Sequence, residues 1–158
     1  TPNRPWQTGG VHIITMQYTP AKLLTMSQEE LDELFKASPA GDIPDGEAKG
    51  TAIIAPGTRY SDEIAEMVSF FAWQGKVFDA KKGLLKNKIS TFGIAAIVAK
   101  VYKDASWLDG KECIVLDYSD TSLVAQWIRD EIRLIGPNLY LGKVYWGKKR
   151  LIDFCLQF

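Results

Sequence analysis

Two short stretches of this sequence, 94–99 and 114–116, are apolar at every position, and they constrain the fold more than any other feature. Side chains along a strand alternate between the two faces of a sheet, so a strand that is apolar throughout needs cover on both sides. Helices can cover one face. The other must curl onto itself as a barrel, pack against a second sheet, or meet another subunit. The expected class is therefore α+β: an antiparallel β-barrel or strongly curved sheet with about three helices.

The remaining elements follow from local signals. From Gly75 onward, residues 76–79, 84–92, 94–103 and 111–119 are rich in β-branched and aromatic residues and separated by turn signals, so they are predicted as strands. Asp109-Gly110 suits a tight turn that pairs 99–107 with 111–118 antiparallel. A last hairpin, 139–146 with 150–158, turns at Gly147; in its second strand Ile152, Phe154, Leu156 and Phe158 alternate with Asp153, Cys155 and Gln157. Earlier strands are expected at 11–19 and at 51–55, the latter stopped by Pro56-Gly57 after a loop over 39–50. Ser27 and Glu30 form a capping box, with Met26 placed to staple onto Leu31, and they open a helix that ends at Ser38-Pro39. A second helix is predicted over 62–73, with Ile64, Val68 and Phe71 on one face. A third is predicted over 121–135, with Leu123, Val124, Trp127, Ile128, Ile132 and Ile135 on a broad apolar side and Gly136-Pro137 as its stop. Residues 1–10 read as an irregular arm able to carry Trp6 into a groove.

Length and charge narrow the function classes. A chain of 158 residues fits one domain spanning 1–158, and 46% apolar with 24% charged residues is ordinary globular composition. The 19 basic and 19 acidic residues cancel, so no global field draws the chain onto nucleic acid or an anionic membrane. No apolar run approaches the ~20 residues of a membrane span, no charged-then-apolar leader opens the sequence, and the compartment is left open. The two cysteines, Cys113 and Cys155, sit in apolar strand-like runs; they read as buried thiols, with an inter-strand disulfide as the alternative.

Motif chemistry is sparse. The single histidine, His12, has no nucleophile motif near it, and neither clustered zinc ligands nor dinucleotide, nucleotide-triphosphate or calcium signatures occur. No cofactor and no metal are expected. The segment 143–150, KVYWGKKR, mixes bases and aromatics as single-strand-binding surfaces do, but turns also collect lysines and the chain has no net positive charge, so no nucleic-acid partner is expected.

What remains is an aromatic-rich interior with a few polar groups. Trp73, Phe78, Phe92, Tyr102, Tyr118, Tyr145, Trp146 and Phe154 supply enough ring surface to line an apolar site, and they equally suit a dry core. Lys143, Asp153 and Asp117 are ionisable groups within or beside apolar strands, with Asn87 as a neutral companion. Any two of them pointing inward need each other or a ligand, while outward-facing charges need neither. The expected ligand-binding set is Trp73, Phe78, Asn87, Tyr102, Lys143, Tyr145, Trp146 and Asp153. A catalytic set, should the chain be an enzyme, is Asp117 or Tyr118 moving a proton and Arg129 holding a carboxylate or enolate oxygen. Arg129 and Arg133 also fit an ordinary charged surface.

The helix running into Trp73-Gln-Gly-Lys76 with Phe78-Asp79, then a strand meander and a closing hairpin, resembles the bacterial lipocalin-like domains that carry a tryptophan-glycine motif at the first long strand. The resemblance spans about 73–158. It implies a small antiparallel barrel that carries a lipid, pigment or other apolar molecule. The expected function is thus binding of a small hydrophobic ligand, such as a fatty acid, terpenoid or polyketide, in a barrel cavity. The alternative is a cofactor-independent isomerase, cyclase or lyase acting on such a molecule in the same cavity; a third reading is a structural or partner-binding domain with a filled interior. An apolar sheet face is compatible with a homodimer, for which the sequence carries no specific signal.

Overall fold

The computed structural model describes residues 17–65, 68, 75–87, 97–120 and 126–158. Eight antiparallel strands close into a barrel in chain order: β1 (Gly46–Ile53), β2 (Gly75–Asp79), β3 (Leu84–Asn87), β4 (Ile97–Ala105), β5 (Glu112–Asp117), β6 (Ile128–Gly136), β7 (Leu139–Trp146) and β8 (Lys149–Gln157), with β8 pairing back onto β1. The expected α+β antiparallel barrel is the fold observed. Closure leaves no sheet edge and gives 114–116 an inside to fill and an outside to cover; of 94–99, residues 94–96 lie outside the described residues and Val98 is exposed on the outer face.

The register assigns every residue to a face. Phe78 opposes Leu85, Leu85 opposes Ala99, Val101 opposes Leu116, Leu116 opposes Asp130, Asp130 opposes Val144, and Val144 opposes Ile152. Ala52 opposite Phe154 and Ala48 opposite Lys76 complete the circuit. The apolar residues at these positions belong to one cluster, which lines the inside of the barrel. The alternate positions Val115, Leu141 and Cys155 belong to a second cluster on the outer face, where α2 (Gln28–Ala37) lays Leu31 and Phe35. Both cysteines, Cys113 and Cys155, are free thiols buried in this outer layer.

Local chemistry fixes α2 as the sequence indicates. Ser27 and Glu30 form the reciprocal capping box, and Met26 joins Leu31 in the outer cluster. A shorter helix, α1 (Pro20–Leu23), precedes it, capped by Thr19; this one is not foreseen by the strand expected over 11–19, of which 11–16 lie outside the described residues. Helical residues also occur at 62–65 and at 68, the described part of the helix predicted over 62–73.

Of the helix predicted over 121–135, residues 121–125 lie outside the described residues, and from Ile128 it is corrected by β6, which pairs with β5 on one side and β7 on the other. Ile128, Asp130, Ile132 and Leu134 face inward, while Arg129, Glu131 and Arg133 face outward. That is a period of two, and the isoleucines also happen to fall at helical spacing. Gly136-Pro137 ends a strand rather than a helix, and Asn138, at φ 54°, makes the turn into β7. The β4–β5 pairing is as expected, but its turn is a wider loop over 106–111 in which Gly110 takes the left-handed backbone. β1 begins earlier than expected, at Gly46, and runs through the segment read as loop.

The two ends of the barrel differ. At the end where β6 runs into β7, residues 39–45 cross the opening: Pro39 and Ala40 carbonyls accept from Leu134 N–H, and the Asp42 carbonyl accepts from Tyr140 Oη at 2.7 Å. Below them Phe158 makes edge contacts with Phe78 and Tyr140, at ring separations of 5.4 and 5.7 Å. At the opposite end Ile54, Ile64 and Val68, from the β1–β2 connection, pack onto the interior. Midway, Gly142 leaves room for the ring of Phe154, which stands 2.3 Å from where a Cβ would be, so no larger residue fits there without moving the ring.

Candidate functional site

Among the described residues, three buried polar side chains meet on the inner wall near the β1–β2 end. Lys76 is the second residue of β2, Tyr118 follows β5, and Asp130 is the third residue of β6. Their strands place all three inward, and they are fully enclosed, with 0% exposure for Lys76 and Tyr118 and 1% for Asp130. Lys76 Nζ donates to Tyr118 Oη at 2.8 Å. Asp130 Oδ2 stands 4.0 Å from the same ammonium, too far for a hydrogen bond. Both carboxylate oxygens of Asp130 are without a hydrogen-bond partner.

A buried carboxylate with no donor is costly, because burial removes its water and nothing replaces it. Its acid is accordingly held well above the usual carboxylate range by burial, against the opposing pull of Lys76. Burial likewise pushes the Lys76 ammonium down, against the pull of Asp130. Each effect disfavours the charged form of its own group, and the attraction between the two opposes it. Such a cluster can hydrogen-bond a polar group on an otherwise apolar molecule, or move a proton to or from it.

The structure distributes the expected site residues over both faces. Phe78 and Tyr118 are inside, and Trp146 packs against the interior cluster while half-buried. Asn87 occupies the register position opposite Lys76 on β3. Trp73 and Phe92, like His12, lie outside the described residues. Tyr102, Lys143, Tyr145 and Asp153 stand on the outer face, so none of these four lines the barrel. One residue in each strand decides this, since every second side chain leaves the interior.

Each outer residue has partners there. Lys143 is enclosed beneath α2 and bridges Asp153 at 2.7 Å and Asp32 at 2.6 Å, with Gln28 donating to Asp153 and Arg150 gripping Asp32 through two nitrogens. Tyr145 meets the exposed ring of Trp107 edge-on at 5.0 Å. Tyr102 Oη donates to Asp117 Oδ2 at 2.7 Å, and burial together with that carboxylate pushes the phenol up to about 12.

The expected catalytic set is divided between the two faces. Asp117 and Arg129 are register partners on the outer face, whereas Tyr118, the next residue after Asp117, points inward. Arg129 is engaged by Glu131 at 3.0 Å and lies over the Trp107 ring. Glu131 in turn accepts from Ser106 Oγ and Trp107 N–H, which fastens the β4–β5 loop. Arg133 fastens the same loop through Asp109, whose carboxyl that guanidinium holds down at about 2.

Sequence reasoning missed Lys76 and Asp130. Their signals were present: Lys76 shares strand parity with Phe78, and Asp130 sits between Ile128 and Ile132 on an otherwise apolar face. Reading 121–135 as helix placed Asp130 among surface charges and hid the second.

No family model matches the sequence, and no curated protein matches it. A crystal structure of a protein from Thermomonospora curvata is similar in fold, at a TM-score of 0.56 and 15% identity over 84% of this chain and 88% of that one. Among the described residues no helix is long and apolar enough to cross a membrane, and no group of acidic, histidine and cysteine side chains is arranged to hold a metal ion.

Proposed function

We propose that the barrel is a lipocalin-like binding domain for a small, mainly apolar molecule whose one polar group is turned toward Lys76, Tyr118 and Asp130. The observation that carries this reading is the Asp130 carboxylate, which has no hydrogen-bond donor and is enclosed beside Lys76 among aliphatic and aromatic side chains. A hydroxyl meets it well, since it donates to Asp130 and accepts from Lys76 in one group. Phe78 and Trp146 supply the apolar walls, consistent with a fatty-chain, terpenoid or polyketide-like body.

Calorimetric titration with decanol tests the reading. Binding is expected to weaken at least tenfold in Asp130→Leu and in Trp146→Ala, and to be unaltered in Tyr145→Ala, whose ring is outside the barrel. Equal affinity in wild type and Asp130→Leu would remove the polar cluster from the site. No binding of decanol, together with a clean mass after extraction of gently purified protein, would move weight to a filled core.

A further inference from the structure

We draw no further inference here: the strongest candidate, the surface patch on the outer face of β6 and β7 where the exposed ring of Trp107 lies over Arg129 and meets Tyr145 edge-on, carries nothing because nothing in the structure shows what covers it.

Discussion

The barrel wall carries two enclosed lysine–aspartate pairs, one on each of its faces, and they are built differently. On the outer face Lys143 and Asp153 are 2.7 Å apart, and Asp32, Gln28 and Arg150 complete the set so that two cations meet two carboxylates. On the inner face Lys76 and Asp130 are 4.0 Å apart, and neither Asp130 oxygen has a donor. Burial is the same in both, so burial does not mark a functional group here. Completeness differs: the outer pair fastens α2 to β7 and β8, whereas the Asp130 oxygens have acceptor capacity that no donor among the described residues uses.

The sharpest way to break that contrast is to remove each lysine. Lys143→Met leaves Asp153 and Asp32 facing each other beneath α2, and a loss of about 3–5 kcal/mol in urea unfolding is expected, typical of one partner removed from a buried set. Lys76→Met leaves Asp130 alone, but Asp130 can keep a proton and become neutral, so its loss should be clearly smaller. Equal losses would mean that both pairs are structural. Removing each pair whole sharpens the contrast further. Lys76→Met with Asp130→Leu exchanges an enclosed lysine and a carboxylate without hydrogen-bond donors for apolar groups and should gain about 1–4 kcal/mol, while abolishing decanol binding. Lys143→Met with Asp153→Leu strands Asp32, Gln28 and Arg150 and should still lose stability. A destabilised inner double variant would show that the inner pair holds the fold.

Much of this fold was legible because its signals are local. The capping box of Ser27 and Glu30, the alternation from Ile152 to Phe158, and the doubly apolar 114–116 each imply a backbone state or a need for cover without reference to distant residues. β6 was not, because Ile128 and Ile132 satisfy both periods and Gly136-Pro137 stops either element. The site suffered from a different limit. Alternation says that Lys143 and Tyr145 share a face, and that Val144 and Trp146 share the other, but only pairing across the closed sheet says which face is inside. In β7 both faces are buried, since α2 covers what the barrel does not, so burial by itself could not choose either. The polar groups thought to be interior proved to be the outer fastening, and the interior ones stood where a lysine precedes Phe78 and an aspartate divides two isoleucines.

The last effect is carried by pH. In the unfolded chain Asp130 titrates near the ordinary value of 3.8, whereas in the barrel burial lifts it, against Lys76. Between those two values the native chain holds a proton that the unfolded chain has released, so Asp130 lowers stability as pH rises through that window, by about 1.4 kcal/mol for each unit crossed. Lys76 acts in the opposite sense at alkaline pH: burial drops it below its usual 10.5, the unfolded chain binds more protons there, and its contribution to stability rises with pH through that interval. Burial also lifts Asp153, against Lys143, while Asp32 is lowered because hydrogen bonds and charge from Lys143, Gln28 and Arg150 outweigh its own burial. The wild-type curve therefore sums several groups, and the difference between Asp130→Asn and wild type isolates one. That difference, from urea unfolding at a series of pH values, should climb in favour of the variant from about pH 4 upward and then level off once native Asp130 has ionised. A flat difference across that range would mean that Asp130 titrates normally and is hydrated in the barrel, and the inner pair would lose the feature that distinguishes it from the outer one.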